Sequence, residues 1–364
     1  MHRKKTNRFI PMVGAVAVAL LIIAIVGLAS YRDLQQSPTY LYCVGDSGHG
    51  HENLTFYAPL TKGGIGQWHN STSYPVGVDD VGCDIYNGYI YCTGTNDTTS
   101  ENQSYYANVS PSGIGSWIKT TSYPFPTSYQ SCSAYNGYIY CVGDWQFLHQ
   151  NATEFAPISR AGIGKWMATT PYPQPFYWGS CSINNGYIYC VGGGGLKHYS
   201  FEPDNQVVQA ITQNSTYTFF APVSSAGIGN WTMSTPYPVP FIMDGCPIYN
   251  NRIYCIGDGL YQNLVYYANV SASGIGNWIR TTNTPIPFEQ SGCDIHNGYV
   301  YCVGSRANGT AGNQTWYTRI SANGSIGGWS PTTEFPLPYY GDSYCEIPGS
   351  GGGWTSGGGP QNPA

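Results

Sequence analysis

Twelve cysteines follow a rhythm that requires the two ends of the chain to meet. A pair separated by eight residues occurs five times, at Cys83/Cys92, Cys132/Cys141, Cys181/Cys190, Cys246/Cys255 and Cys293/Cys302. Two cysteines are left over. Cys43 lies in Tyr40-Leu41-Tyr42-Cys43-Val44-Gly45, a copy of the second half of the unit. Cys345 lies in Ser343-Tyr344-Cys345-Glu346-Ile347, a copy of the first half. A sixth unit is therefore divided between the termini, and a ring is the arrangement that completes it.

Each complete pair flanks a turn signal. In the first, Cys83-Asp84-Ile85-Tyr86 runs into Asn87-Gly88, and Tyr89-Ile90-Tyr91-Cys92 runs back. A two-residue type I′ turn needs positive φ at both central positions, which Asn and Gly tolerate best. Pairing outward from that turn sets Tyr86 against Tyr89 and brings Cys83 opposite Cys92. There the Cα atoms come closest and within disulfide reach. The other four copies turn at Asn136-Gly137, Asn185-Gly186, Asn250-Asn251 and Asn297-Gly298. Zinc sites do not use an eight-residue gap, so the reading is five hairpin disulfides and a sixth, Cys43–Cys345. Each short loop is worth roughly 3 kcal/mol in the loop-entropy account, and the terminal bridge about 5 kcal/mol.

After each hairpin come a variable loop and an aromatic run such as Tyr105-Tyr106-Ala107-Asn108-Val109. The segment Ser-x-x-Gly-Ile-Gly-x-Trp follows, and then a Thr/Pro/Tyr tail. The tryptophans of this series are Trp68, Trp117, Trp166, Trp231, Trp278 and Trp329, spaced 49, 49, 65, 47 and 51 residues apart. A period near 50 with four strands per unit predicts an all-β, six-bladed β-propeller of four-stranded blades. In the first unit the strands are expected at Gly82 to Tyr86, Tyr89 to Gly94, near Tyr105 to Val109, and near Trp117. The sixth blade takes its inner strand from the C-terminus and the rest from Tyr40 to Thr72, so the N-terminal strand pairs with the C-terminal one. Residues 40–348 form the propeller in this reading.

A hydrophobic strand, an Asn-Gly turn, Ile-Tyr-x-Val-Gly, then Tyr, then Trp and Pro resembles the kelch repeat. The segment Ser-Ala-Asn-Gly-Ser-Ile-Gly-Gly-Trp ending at Trp329 is similar to a prokaryotic kelch-like variant. The resemblance runs from Tyr40 to about Ile347. It departs at the kelch double glycine, which survives only at Gly192-Gly193; the other blades carry Gly-Asp, Gly-Thr or Gly-Ser.

Charged residues make up only 9% of the chain and the formal net charge is −5. With no basic stripe after Arg8, nucleic-acid binding is excluded. Residues 1–8 carry Arg3, Lys4, Lys5 and Arg8, and residues 9–30 carry no charge. As a helix those 22 residues span about 33 Å, enough for a hydrocarbon core. Positive residues ahead of the span predict a single-pass transmembrane helix with the propeller outside the cell membrane. A cleaved signal ending near Ala29, giving a secreted protein, is the alternative, and a pilin-type leader cut near Arg8 is a third. Residues 31–39 read as a linker and 349–364 as a Gly/Ser/Pro-rich disordered tail. Sequons in loops, at Asn53, Asn96, Asn102, Asn151, Asn214, Asn308 and Asn313, are expected glycan sites. Asn108 and Asn269 fall in predicted strands and are expected to be inaccessible.

Variation among the repeats concentrates on one face. The hairpin turns and Ser-x-x-Gly-Ile-Gly hardly change, whereas the loops between second and third strands, and the segments linking blades, all differ. Propellers commonly bind ligands on such a face. Asp144, Trp145, Phe147, Tyr177, Trp178, His198 and Tyr199 are the candidate binding residues. The four aromatics Trp145, Phe147, Tyr177 and Trp178 do not repeat. Trp145→Ala or Trp178→Ala is therefore expected to weaken binding and spare stability, in contrast to Trp117→Ala at a repeat position. His49, His51, His149 and His198 make a weak metal set, and no cofactor is expected. No Gly-x-Ser-x-Gly or His-Glu-x-x-His occurs, and all cysteines are assigned to disulfides. The chain therefore reads as a non-enzymatic binding or adhesion module for a protein or glycan. The alternatives are a carbohydrate-active enzyme with its site at the channel mouth and a glycosylated structural envelope protein.

Overall fold

The computed structural model describes residues 39–45, 53–77, 81–94, 102–127, 129–144, 149–194, 216–241, 245–257, 263–288, 292–307, 310–338 and 344–349; residues 305–307 and 310–311 are described in backbone only. The expected membrane span, its linker and the C-terminal tail lie outside them. Among the described residues no helix is long and apolar enough to cross a membrane.

The chain forms a six-bladed, all-β propeller with six separate sheets. In blade 1 the inner strand Gly82–Tyr86 pairs with Tyr89–Thr93, which pairs with Ser104–Ser110, which pairs with the outer strand Ile118–Lys119. The register is the expected one, with Tyr86 opposite Tyr89 and Cys83 opposite Cys92. Asn87 and Gly88 take φ of 49° and 78°, and the four other turns repeat the pattern. The repeat pattern does not predict one feature. The Gly113–Ile114 pair folds back on the end of the third strand and adds a short fifth strand. Blades 2, 3, 4 and 6 do the same, because Ser-x-x-Gly, or Thr61-Lys62-Gly63-Gly64 in blade 6, is itself a tight turn.

All six expected disulfides are present. Within the hairpins they are Cys83–Cys92, Cys132–Cys141, Cys181–Cys190, Cys246–Cys255 and Cys293–Cys302. The Cα atoms of Cys132 and Cys141 lie 4.0 Å apart and those of Cys181 and Cys190 4.1 Å, the close approach expected where facing residues are not bridged by backbone hydrogen bonds. Blade 6 draws on both ends of the chain. Tyr344–Glu346 pairs antiparallel with Tyr40–Val44, and Cys345 is bonded to Cys43 opposite it. Among the described residues no cysteine is free. In blade 4 the inner strand shrinks to Ile248–Tyr249, leaving Cys246 just outside the ladder and still joined to Cys255. Pro247 between them has no N–H to give a ladder.

The core lies between the blades: each hydrophobic cluster takes residues from two neighbours. Tyr42, Val44 and Tyr344 of blade 6 pack on Cys83, Ile85 and Ile90 of blade 1, for example. Two devices tie the junctions, the first at five of the six. The Tyr91 hydroxyl donates to the Ser159 carbonyl of the next blade at 3.0 Å, and Tyr42, Tyr140, Tyr189 and Tyr301 act likewise. The Thr/Pro tail supplies the second. Thr120 Oγ1 accepts the Ile163 N–H at 2.8 Å, and the hydroxyls of Thr120 and Thr121 both donate to the Ile163 carbonyl. The same clasp recurs at all six junctions, through Thr332 and Thr333 holding Ile65. Five of the repeat tryptophans donate their indole N–H to the same tail, as Trp117 does to the Thr72 carbonyl at 3.0 Å.

Candidate functional site

At the inner edge, the residue after each first cysteine faces the next blade. It is Asp84, Ser133, Ser182, Pro247, Asp294 and Glu346 in turn. Ser133 and Ser182 donate to the carbonyls of Cys181 and Cys246. Asp84 accepts from the Ala134 N–H and Asp294 from the Ile347 N–H. Three neighbouring blades thus bring buried carboxyl groups to one side of the ring. Glu346 shares a hydrogen bond with Asp84, and burial pushes the Asp84 carboxyl up to about 8 despite its backbone donors. Two carboxyl groups can share such a bond only when one holds a proton. Among the described residues no set of three His, Cys, Asp or Glu is placed to hold a metal ion. These groups are staples between blades.

The variable face is different in kind, and the junction between blades 1 and 2 departs furthest from the repeat. Five residues before the inner cysteine, blades 3, 4 and 5 place Phe176, Phe241 and Phe288, each fully buried. Blade 2 places Thr127 there. In the third strand, opposite the second cysteine, the blades hold Phe56, Tyr105, Phe219, Tyr266 and Trp316. Blade 2 holds Glu154, opposite Cys141. Two aromatic positions of the repeat are therefore polar at this junction alone among those described.

Other polar groups gather around these two. Thr127 Oγ1 donates to Gln130 Oε1 at 3.0 Å and lies 3.3 Å from Asp144 Oδ1. Gln130 Nε2 donates to the Thr93 carbonyl of blade 1 at 2.7 Å. Asp144, Gln150 and Glu154 are 0%, 5% and 6% exposed. Burial pushes the Glu154 carboxyl up to about 7. Burial first, and then the charges of Glu154 and Asp144, raise the Tyr123 phenol well above its ordinary value. The ring of Phe125 lies 5.0 Å from that of Tyr123 and stacks on His149 at 4.0 Å, and Tyr129 meets Trp178 edge-on at 5.1 Å.

In blade 2 the same substitution accompanies the loss of the second glycine, whereas blades 4 and 5 keep Phe241 and Phe288 with Asp258 and Ser305 at that position. In blade 3 a Cβ at Gly193 would come within 2.7 Å of the Phe176 ring. Asp144, at the matching position of blade 2, stands beside Thr127 instead, and a side chain fits.

Of the expected binding residues, Asp144, Tyr177 and Trp178 are brought to this region. Trp145, Phe147, His198 and Tyr199 lie outside the described residues, as do His49 and His51. Tyr177 and Trp178 are not open aromatics: they are 1% and 6% exposed, and Tyr177 pairs by backbone bridge with Gly194. The idea that non-repeating rings are free of packing duty fails for both. Tyr129 and Trp178 adopt positive φ of 58°, a strained conformation for a bulky residue, on matching segments before blades 2 and 3. Sequence reading passed over Thr127, Gln150 and Glu154. Aligning the units on their cysteines would have found Thr127 and Glu154, since each breaks an aromatic column.

Among sequons, Asn53 and Asn151 are exposed, whereas Asn102 and Asn313 engage their Nδ2 with the Tyr123 carbonyl and Glu334. Asn96, Asn214 and Asn308 lie outside the described residues. Asn108 and Asn269, expected to be inaccessible within strands, are exposed on their sheet faces.

No family model matches the chain, and no curated protein matches it. Among solved structures, one titled "Structure of YjhT" aligns with a TM-score of 0.59 at 12% identity, covering 73% of this chain and 87% of that one. The likeness shows the fold.

Proposed function

We propose that this chain is an exported, kelch-like propeller that binds a protein or glycan through its variable face, as a non-enzymatic module. The observation that carries the reading is the junction of blades 1 and 2. There the repeat gives up two aromatic packing positions for Thr127 and Glu154, and the buried Asp144 and Glu154 both reach Tyr123, whose ring packs on the half-buried Phe125. A scaffold under selection for packing alone has no use for that exchange, since buried polar groups cost stability. Six disulfides fit an oxidising compartment. On this reading residues 9–30 anchor the ring to the cell membrane, and the Cys43–Cys345 bridge locks the ring shut. Loop glycans would sit on the exposed Asn53 and Asn151.

The test is a glycan-array and cell-surface-protein screen with the full chain, run beside Thr127→Phe/Asp144→Gly/Glu154→Phe, which installs the combination that blade 3 carries at Phe176, Gly193 and Phe219. The wild type should capture a partner that the restored variant loses, with no fall in thermal stability. Equal capture by both would remove the junction from the binding face. Turnover of a captured glycan would favour the carbohydrate-active alternative. Carbonate washing of native membranes checks the anchor: retention supports it, and an N-terminus just after Ala29 overturns it.

A further inference from the structure

Two sequons expected to be shut inside strands are open in the fold, and packing does not account for their asparagines. The hexapeptide Tyr-Tyr-Ala-Asn-Val-Ser occurs at residues 105–110 and again at 266–271. In each copy the asparagine is exposed on the third strand of its blade, while the alanine before it is buried. Asn108 pairs with Tyr89 and Asn269 with Arg252, each the first residue after a hairpin turn. Both asparagines therefore stand toward the end of the strand away from the variable loop that leads into it.

At this place in the ladder blades 2, 3 and 6 carry Pro157, Pro222 and Pro59, and blade 5 carries Arg319. The proline rings lie over Gly164, Gly229 and Gly66 of the turn that follows. The serine two positions on recurs in five blades, with Thr61 in blade 6, and it shapes that turn: Ser271 Oγ accepts the Ser273 N–H at 3.3 Å. Packing thus accounts for the serine and is satisfied without the asparagine. Where the fold does use an asparagine, its amide is committed. Asn102 Nδ2 donates to the Tyr123 carbonyl at 2.6 Å, and Asn263, at the matching place of blade 4, donates to that of Thr284 at 3.1 Å.

We propose that Asn108 and Asn269 are acceptors of N-linked oligosaccharides, which rests on the export already proposed. An Asn-x-Ser sequon is the acceptor signal on the exported side. In the transfer the asparagine Nδ2 bonds to the anomeric carbon of a lipid-phosphate-linked oligosaccharide. The bond from that carbon to the phosphate oxygen breaks, the phosphate leaves with the electron pair, and one amide proton goes with it. The fold tolerates a bulky hydrated group at these positions because their side chains already meet solvent. The sugars would stand at the hairpin-turn end of blades 1 and 4, at the opposite end of the strand from the variable loops.

The test is electron-transfer mass spectrometry of peptides from the full chain, taken from its native cells and left unreduced until free thiols have been counted. Glycan mass is expected on Asn108 and Asn269 and none on Asn102. Asn108→Pro/Asn269→Pro installs the residue that blades 2, 3 and 6 use, so it should lose both glycans from the intact mass and melt no lower than the wild type. Bare Asn108 and Asn269 in a chain with all its disulfides formed would overturn the proposal while export stands. Free thiols throughout would overturn export, and the proposal with it. Modification of one site alone would overturn the assignment of the other and show that the shared hexapeptide does not decide.

Discussion

Asp84 shows how one side chain can couple the ring to pH. Burial raises its carboxyl to about 8, with Glu346 hydrogen-bonded to it. In the unfolded chain an aspartate loses its proton near pH 4, so between about pH 4 and pH 8 the folded state holds a proton that the unfolded state has given up. This contribution to stability is complete below that window and is lost as pH rises through it. The melting temperature should therefore fall between about pH 5 and pH 8, and Asp84→Asn should flatten the profile. A flat profile in the wild type would remove the carboxyl pair from the account. Trp178 makes a second case at this scale. Its burial and its contact with Tyr129 predict that Trp178→Ala costs roughly 3–5 kcal/mol in denaturant unfolding, as buried Trp166→Ala should. A loss below about 1 kcal/mol would return Trp178 to the role of a free binding ring.

Between neighbouring elements, the hydroxyl clasp gives the Thr/Pro tail its purpose. Thr120 both accepts from and donates to Ile163, which is 3% exposed. Thr120→Val keeps the shape and leaves a buried N–H unanswered, so it should cost about 1–3 kcal/mol in denaturant unfolding. Thr120→Ser, which blades 6 and 3 already use at Ser71 and Ser234, should cost far less. Equal losses for the two variants would mean that packing of the methyl group, not the clasp, matters. Strand register was legible in the sequence because turn and cysteines specify it together: the Asn-Gly pair sets the reversal, and only one offset brings the sulfurs opposite. The fifth strand was not legible, since Gly113–Ile114 has no strand pattern of its own and pairs only because the turn before it delivers it to the third strand.

For the whole molecule, the two halves of blade 6 meet across a sequence separation of 302 residues. By loop entropy, Cys43→Ala/Cys345→Ala should lower stability by about 5 kcal/mol, against roughly 3 kcal/mol for Cys83→Ala/Cys92→Ala. Thermal melts of the two double variants compare them directly. Equal losses would mean that strand pairing between Tyr40–Val44 and Tyr344–Glu346 already holds the ends together without the bridge.

By itself the sequence determined the blade count, the hairpin registers, the disulfide partners and the sharing of one blade between the termini. These follow from local chemistry repeated at a fixed period: positive-φ turns, facing cysteines such as Cys132 with Cys141 and Cys293 with Cys302, and aromatic columns. Tertiary structure alone decided which departures from the repeat stand together. Thr127, Asp144 and Glu154 are spread over 28 residues of chain. They converge because the linker before blade 2 crosses the face of the junction while two strands of that blade rise beneath it. The same packing buried Trp178, whose absence from the repeat had suggested a free ring, and exposed Asn108, whose place in a strand had suggested the opposite. Burial depends on what the neighbouring blade presents, and one repeat read alone holds no record of its neighbour.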